Sequence, residues 1–369
     1  MTAHTAPRPR PVGWRRLIGW PGKASTGLVL AIAAGVTACS GGGGAAGSAT
    51  GSARPAPGPP VAGGPVTLQR QYERVVAAVL PSVVQITTQE GLGSGVVFDA
   101  KGDIVTNAHV VGSAKDVRVR LPSASKALAA TVLGVFAPDD LAVIRVQGSA
   151  GTLRPAAFGR SSAVRVGEIV LAMGNPLGLT GTVTDGIVSA TGRTVSEGQG
   201  SSAVLISAIQ TSAPINPGNS GGALVSLSGQ VIGIPTLAAS DPQMGGAAVG
   251  IGFAIPSDTV TSIARQLVTT GKVANSGRAA LAITAETVAD ADGQPAGVGV
   301  VAAKPGGPAA QAGIRAADII LAVDGKTTDS VTALQSVLAA LKPGDQVRVR
   351  LSRDGTQSTV TATLGTLTS

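Results

Sequence analysis

Residues 104–111 read Ile-Val-Thr-Asn-Ala-His-Val-Val. The short, mostly apolar run 104–107 in this stretch ends two residues before a histidine, His109. Such a run is typical of a β-strand because it is brief, rich in β-branched residues and closed by an asparagine. Similar runs recur on both sides, and no long helices alternate with them, which favours antiparallel barrels or a sandwich over a doubly wound parallel sheet. The runs are 83–88, 95–99, 104–107, 117–121, 130–136, 142–145, 169–173, 204–209, 231–234 and 251–255.

Two helices flank this β-rich region. Apolar positions at helical spacing predict a helix over 67–79, which Pro81 ends. A second helix is expected over 256–269, with Pro256 in its first turn.

The composition of the chain excludes several classes of protein. Hydrophobic residues make up 44% of the 369 and aromatic residues only 2%, so the core must be built from Val, Ile, Leu and Ala. The net charge of +8 includes six basic residues and no acidic residue in 1–66, which leaves only +2 for the rest of the chain. A nearly neutral region with few aromatic rings is not expected to bind DNA or RNA.

Residues 1–39 have the organisation of an export signal. A polar, basic segment precedes the 13-residue apolar stretch 26–38, which is shorter than the ~20 residues of a membrane-spanning helix. The stretch ends at Cys39, the only cysteine, in a Val-Thr-Ala-Cys sequence that resembles a bacterial lipobox and implies lipidation. An uncleaved signal anchor is the alternative. Residues 40–66, rich in Gly, Ala, Ser and Pro, are predicted to form a disordered linker from this membrane tether to the folded part.

Three separate segments carry the residue types of nucleophilic catalysis. His109 is the only histidine outside the N-terminal segment, an acid at Asp139 or Asp140 precedes a buried run, and Ser220 lies in a Gly-Asn-Ser-Gly-Gly loop. Small residues around a serine permit a sharp turn that exposes the hydroxyl and directs amide groups to one point. Each segment alone has a structural explanation, as a buried histidine or a turn. Their order, His, Asp, Ser, is that of chymotrypsin-type double barrels.

The segments 106–111, 139–146, 174–178, 209–224 and 250–256 together resemble the HtrA (Deg) family of serine proteases. The resemblance runs from about residue 67 to the C-terminus. It implies a mostly-β fold, in which a chymotrypsin-like double six-stranded β-barrel protease domain over 67–271 is followed by an α+β PDZ domain over 279–369.

The resemblance also implies a role for each residue that matches the family motif. His109 matches the general base, Asp140 the orienting acid, with Asp139 as the alternative, and Ser220 the nucleophile. The oxyanion hole is expected at Gly218, Asn219 and Ser220, with the backbone N–H groups of Gly218 and Ser220 as its donors.

The substrate pocket is expected to contain no acidic group and therefore to accept small or medium apolar side chains. Its expected residues are Thr211, Ser212, Pro214, Ile251 and Phe253. The family commonly has an aspartate where Ser212 stands, and this departure puts the geometry of the loop and the character of the pocket in question.

The C-terminal region resembles a bacterial PDZ domain through the strings 307–314 and 318–325. The carboxylate-binding loop of such domains matches Ala280, Leu281, Ala282 and Ile283, so a groove for apolar C-terminal peptides is expected between this loop and a helix over 330–341. The family usually has glycine at Ala282, which predicts weaker carboxylate binding. A purely structural cap is the alternative. A short helix is expected at 308–312 and strands at 281–283, 297–301, 319–323, 346–351 and 358–364.

These expectations describe an envelope-tethered serine endopeptidase that degrades or processes unfolded or damaged exported proteins. Hydrolysis would pass through an acyl-enzyme on Ser220 and need no metal or other cofactor. The expected partners are unfolded or misfolded proteins and apolar C-terminal peptides, and the resemblance makes a homotrimer a candidate assembly, with Tyr72 as a candidate contact. The competing hypothesis is a chaperone or peptide sensor whose barrels no longer cut; the complete triad argues against it.

Overall fold

The computed structural model describes residues 65–122, 126–148, 153–175, 181–196, 204–216, 218–241 and 246–369. The predicted export signal, Cys39 and nearly all of the predicted linker lie outside these residues. Within the described ranges, no helix combines the length and the apolar character needed to cross a membrane.

The first six strands form a closed antiparallel barrel behind an N-terminal helix. The helix, α1 (Pro65–Val79), buries Val75 and Val79 against the core. The strands run around the barrel in the order β1-β2-β3-β6-β5-β4, and a one-turn helix α2 (Ala108–Val111) follows β3. The strands are β1 (Val83–Thr87), β2 (Leu92–Val97), β3 (Asp103–Thr106), β4 (Asp116–Arg120), β5 (Leu128–Phe136) and β6 (Leu141–Val146).

The next six strands form a second closed barrel, in the order β10-β11-β12-β9-β8-β7. A helix, α3 (Ser257–Thr270), leaves this barrel after Pro256 and ends at Gly271, whose φ of 69° is the left-handed conformation that glycine adopts readily. The strands are β7 (Ile169–Gly174), β8 (Thr182–Ser196), β9 (Val204–Thr211), β10 (Ala223–Ser226), β11 (Val231–Asp241) and β12 (Gly246–Pro256).

The two barrels are joined by one shared hydrophobic cluster. It contains Val96 and Leu141 from the first barrel, Leu171 and Phe253 from the second, and Ile263 from α3. Each barrel also has a smaller cluster of its own. Because apolar side chains from both barrels fill one core, the loops that meet along the junction are held in a fixed relation.

The C-terminal domain has a separate core under a mixed α+β arrangement. Its main sheet has the order β14-β15-β16-β18-β19, with β17 paired to β16, while β13 pairs with β20. The helices α4 (Pro308–Gln311) and α5 (Val331–Ala339) accompany the sheet, and the Ser330 hydroxyl caps α5 by accepting from the Ala333 amide. The strands are β13 (Ala279–Ala280), β14 (Ile283–Ala289), β15 (Pro295–Ala303), β16 (Ile319–Val323), β17 (Lys326–Thr327), β18 (Gln346–Arg353), β19 (Thr356–Thr363) and β20 (Gly365–Thr366).

The predicted fold class, two six-stranded barrels followed by an α+β domain, is confirmed. Two strands of the barrels, β8 and β10, were not predicted, and neither were the two-residue strands β13, β17 and β20 of the C-terminal domain. The expected strand over 281–283 is wrong for its first two residues, since Leu281 and Ala282 lie between β13 and β14. The physical reason is the φ of 55° at Ala282, which an extended strand does not allow.

Candidate active site

His109 and Asp140 meet at the edge of the first barrel. His109 lies in α2, directly after β3, and Asp140 ends the turn that leads into β6. The imidazole Nδ1 is 2.8 Å from Asp140 Oδ2, and the His109 backbone amide donates to Oδ1 at 3.0 Å. Because a carboxylate oxygen accepts hydrogen bonds, it places the ring proton on Nδ1, and the lone pair of the ring is then on Nε2.

A third donor completes the surroundings of the Asp140 carboxylate. Thr236, on β11 of the second barrel, donates its hydroxyl to Asp140 Oδ2 at 2.5 Å. Asp140 itself is nearly inaccessible, with 2% of its side chain exposed, whereas 44% of the His109 side chain is exposed. The acid is therefore fixed from both barrels, and substrate can reach the imidazole.

Ser220 approaches the same point from the second barrel. Its hydroxyl donates to the carbonyl oxygen of Thr236 at 3.2 Å, so a single residue contacts both the serine and the acid. The chain turns sharply after the serine: Gly221 has a φ of 79°, and a side chain there would collide with the Ser94 carbonyl oxygen and the Thr106 hydroxyl. Glycine is required at Gly221 by both the conformation and the close approach.

The amide groups of the loop 218–222 divide into two sets. The amides of Asn219, Gly221 and Gly222 donate to the carbonyls of Asn216, Pro235 and Asn219, at 3.0, 3.0 and 2.9 Å. Within the described residues, the amides of Gly218 and Ser220 donate to no protein group. Two unpaired amides two residues apart, beside a serine hydroxyl, are the arrangement that stabilises an oxyanion.

One expected member of the oxyanion hole is corrected by this count. Asn219 cannot contribute its amide, because that amide closes a turn onto Asn216. Its side chain also points elsewhere, donating to the Pro214 carbonyl at 3.2 Å. Asn219 thus shapes the loop, and the amides of Gly218 and Ser220 remain as the candidate donors.

The expected pocket residues have two different placements. Thr211 is buried and its hydroxyl serves the backbone, donating to the Ile187 carbonyl at 2.9 Å and accepting from the Ala213 amide at 3.0 Å. Ser212, which stands in place of the usual aspartate, accepts from the Ile187 amide at 3.0 Å. Both side chains therefore bind the loop to β8 through Ile187. Serine in place of aspartate at Ser212 still provides an oxygen that accepts from the β8 backbone.

The remaining expected pocket residues border the loop from β12. Phe253 is buried and Ile251 is exposed, while Pro214 lies exposed before the nucleophile loop. Between the two β12 residues, Gly252 leaves room that Ile215 fills, since a side chain at Gly252 would collide with Ile215 Cγ1. Ile215 was missed by sequence reasoning, although its position five residues before Ser220 could have indicated it.

The predicted carboxylate-binding loop borders a groove of about 320 Å³. Ala280, Leu281, Ala282 and Ile283 form one wall, and α5 forms the other. The carbonyls of Leu281 and Ala282 accept from Ala309 and Lys304 at 3.0 Å, whereas their amides donate to no group within the described part of the chain. The apolar residues of α5 in the groove are Val331, Leu334, Leu338 and Ala339.

The groove also touches the catalytic region. Pro138, two residues before Asp140, is part of its lining, and Arg278, just before β13, is another part. Arg278 Nη1 donates at 2.6 Å both to the Pro138 carbonyl and to Asp139 Oδ1. Asp139 therefore contacts Arg278, and the carboxylate that meets the imidazole is that of Asp140.

The environment of Asp139 is unusual for a carboxylate. Burial raises its pKa, and the charge and hydrogen bond of Arg278 only partly oppose this effect. Its second oxygen, Oδ2, is buried without a hydrogen-bond partner among the described residues. The pair thus combines an ion pair with a desolvation cost.

Sequence reasoning missed Ser94, Thr236 and Arg278. Ser94 lies between two glycines in an otherwise apolar run, and Thr236 interrupts the apolar β11; these polar residues inside buried strands were the available signals. Arg278 had no local signal. Within the described ranges, no three His, Cys, Asp or Glu side chains converge as a metal site would require.

Comparison with known proteins agrees with this two-part architecture. Residues 93–234 match the model of a trypsin-like peptidase domain, and residues 266–364 match that of a PDZ domain. The fold and the site therefore define a trypsin-like serine peptidase with a C-terminal PDZ domain.

Curated relatives narrow the class. Serine protease PepD of Mycobacterium tuberculosis is 39% identical over 354 residues, covering 88% of this chain and 74% of the relative. The periplasmic pH-dependent serine endoprotease DegQ of Escherichia coli is 40% identical over 288 residues, covering 76% of this chain. The chain spans 60% of the length of DegQ.

Solved structures give the same result. The crystal structure of the serine endoprotease from Yersinia pestis is 36% identical, with a TM-score of 0.53, and covers 80% of this chain and 98% of that one. The HtrA-type protease AlgW with a decapeptide is 30% identical, also with a TM-score of 0.53 and the same coverage. The chain belongs to the HtrA family of serine proteases.

Proposed function

We propose that this chain is a serine endopeptidase in which Ser220 is the nucleophile, His109 the general base and Asp140 the acid that orients the base. The observation that carries the proposal is the combination of the Asp140–imidazole contact at 2.8 Å with two unpaired amides beside Ser220. The first orients an imidazole as a base with its lone pair on Nε2, and the second supplies donors for a developing negative charge.

The proposed reaction moves one proton at each step. The Ser220 hydroxyl turns from the Thr236 carbonyl, transfers its proton to His109 Nε2 and attacks the scissile carbonyl carbon. The amides of Gly218 and Ser220 stabilise the tetrahedral oxyanion, and the imidazolium then protonates the departing amine. Water, deprotonated by His109, attacks the acyl-enzyme and releases the second product with Ser220 reprotonated.

Asp140 and Thr236 act on the base in this mechanism without touching substrate. Asp140 accepts from the His109 ring and backbone, so it holds the tautomer and stabilises the imidazolium. Thr236 donates to the same carboxylate. Both are positioning residues.

The proposed substrates are unfolded or damaged exported proteins, cut after small or medium apolar residues. Ile215 over Gly252 leaves limited room beside the nucleophile loop, and neither contributes a charge that would attract lysine or arginine. The groove between Ala280–Ile283 and α5 is proposed to take apolar C-terminal peptides, with the unpaired amides of Leu281 and Ala282 facing the terminal carboxylate. AlgW, an HtrA-type protease, has been solved with a decapeptide and a tripeptide.

The proposed location is outside the cytoplasm, on a membrane tether. Support comes from the apolar stretch 26–38 and Cys39 in the sequence, and from DegQ, which is named a periplasmic protease. The choice between lipidation at Cys39 and an uncleaved anchor stays a prediction, as does a homotrimer with Tyr72 as a contact.

Degradation of unfolded casein by the full chain tests the proposal. Wild type should cut, whereas Ser220→Ala and His109→Ala should each lower the rate by at least about 10³-fold, because the two residues act as one unit. Both variants should keep the wild-type circular dichroism spectrum. Casein cleavage by Ser220→Ala at the wild-type rate would refute the assignment. Suppression of casein aggregation without any cleavage by wild type would favour the chaperone hypothesis.

A further inference from the structure

Ser94, on β2 of the first barrel, is fully buried and contacts the nucleophile loop of the second barrel. Its hydroxyl donates to the Gly218 carbonyl at 2.5 Å, and its backbone amide donates to the Ser220 carbonyl at 2.9 Å. Gly218 and Ser220 are the two residues whose amides remain unpaired. One residue therefore binds the carbonyls of both oxyanion donors.

The hydroxyl of Ser94 is itself oriented. The amide of Asn175, at the end of β7, donates to it at 2.8 Å, so the hydroxyl proton is directed toward the Gly218 carbonyl. The carbonyl of Ser94 accepts from the buried Thr106 hydroxyl at 2.7 Å, three residues before His109. The Ser94 hydroxyl both donates and accepts a hydrogen bond, its amide donates one and its carbonyl accepts one, so the side chain and backbone of Ser94 are held in a single conformation.

Gly218 needs such a support. Its φ of 109° lies in the region that only glycine adopts readily, and glycine has the widest choice of alternative conformations. A rotation of the peptide groups around Gly218 would carry its amide away from the position that Ser220 needs. The Ser94 hydroxyl binds the carbonyl of Gly218, which lies in the peptide group that follows its amide, and so fixes the Gly218 backbone on the side next to that amide.

We propose that Ser94 is a positioning residue for catalysis: by binding the carbonyls of Gly218 and Ser220 it fixes the backbone of both residues so that their amides converge on the oxyanion. The inference rests on the proposed function and adds a residue to it. Ser94 does not contact substrate, so its removal should weaken the transition state more than the bound substrate.

The test compares Ser94→Ala with a matched control in the full chain. Ser257→Ala is the control, because Ser257 is also fully buried and its hydroxyl also donates to a glycine carbonyl, that of Gly159, at 2.7 Å. Each variant loses one hydroxyl of the same kind, and only Ser94 lies at the oxyanion loop. Both should therefore lower the melting temperature by similar amounts.

The expected results separate catalysis from stability. With a quenched peptide carrying alanine or valine before the cut, Ser94→Ala should lower kcat about 10- to 100-fold, below the loss expected for removing a complete oxyanion donor, with KM within about two-fold. Ser257→Ala should keep the wild-type kcat. A peptide boronate, which places an oxygen in the oxyanion hole, should bind Ser94→Ala more weakly by a factor similar to the loss in kcat.

A second variant covers a failure of Ser94→Ala to fold. Ser94→Cys keeps a donor at the same position, with a somewhat larger sulfur atom that donates a weaker hydrogen bond, so its kcat should lie between wild type and the alanine variant. A wild-type kcat in Ser94→Ala, or equal kcat losses in Ser94→Ala and Ser257→Ala, would overturn this inference and leave the proposed function standing. A wild type that neither cleaves casein nor reacts with a fluorophosphonate would overturn the proposed function, and the inference with it.

Discussion

Asp140 and Ala282 both have left-handed backbone conformations, with φ of 49° and 55°. For Asp140 the conformation is compatible with its residue type, because a short polar side chain tolerates this region. It also turns the carboxylate toward His109. For Ala282 there is no such compensation, and the methyl group makes the conformation unfavourable. The loop expected to bind a peptide carboxylate therefore contains a strained residue.

Replacement of Ala282 by glycine should relieve this strain. The left-handed conformation costs alanine about 1–2 kcal/mol. Glycine avoids this cost but loses more chain entropy on folding, which offsets about 0.5–1 kcal/mol, so we expect a net stabilisation of about 0.5–1 kcal/mol. Ala282→Gly should also bind an apolar C-terminal peptide more tightly, because the loop reaches its conformation without strain. Calorimetric unfolding and peptide titration measure the two effects.

Ala317 provides the control for this prediction. It is another alanine of the PDZ domain with a positive φ, 70°, and it does not line the groove. Ala317→Gly should raise the melting temperature similarly and leave the peptide affinity unchanged. Equal changes of affinity in both variants would show that general stability, and not the loop, controls binding.

At the scale of elements, contiguous apolar runs predicted most strands correctly because their signal is local. The strand β8 escaped prediction because its glycines and polar residues break the apolar pattern. It forms because β7 and β9 pair with it on both sides, with three register shifts against β9. Long-range pairing here overrides weak local propensity.

The residues of the candidate site likewise fall into those with a local sequence signal and those that only tertiary contacts reveal. Short motifs around His109, Asp140 and Ser220 indicated the chemistry, since each motif is a local signal. Ser94 and Thr236 reach their partners across 124 and 96 residues, and only the folded barrels bring them together. The supporting contacts of the site are therefore a property of the tertiary structure.

The turn that precedes β6 yields a prediction on pH. The pKa of Asp139 in the folded protein lies above its ordinary value of 3.8, because burial disfavours the charged form. Between the two values the folded state holds a proton that the unfolded state has lost, so this carboxyl's contribution to stability falls as pH rises above 3.8.

Asp139→Asn removes that titration. The free energy of unfolding is measured in denaturant for the variant and for wild type at each pH. The value for the variant should rise relative to that of wild type as pH rises from 3.8. The comparison cancels the other titrating groups. A variant whose deficit grows toward neutral pH would show that the ion pair with Arg278 outweighs the cost of burying the carboxylate.

At the scale of the whole molecule, the proposed catalytic site draws on both barrels and the proposed peptide groove draws on both domains. The proposed triad is assembled from both barrels, since His109 and Asp140 come from the first and Ser220 from the second. The peptide groove is likewise shared, because Pro138 of the peptidase lines it beside Leu281 of the PDZ domain. Neither site is complete within one barrel or one domain.

The shared lining at Pro138 has a thermodynamic consequence. A ligand in the groove contacts the turn 137–140 at Pro138, and a ligand at Ser220 acts on the same turn through His109 and Asp140, so each should alter the binding of the other. Linkage then requires reciprocity: a reversible peptide boronate and an apolar C-terminal peptide must change each other's dissociation constant by the same factor, about 5- to 150-fold for typical couplings.

Titration of each ligand with and without saturating amounts of the other measures this factor. Arg278→Ala removes the bonds to Pro138 and Asp139 and should bring the factor close to one. A factor of one in wild type would show that the two sites are independent. With the coupling present, the capture of a chain end in the groove and the binding of a chain for cleavage at Ser220 depend on one shared equilibrium.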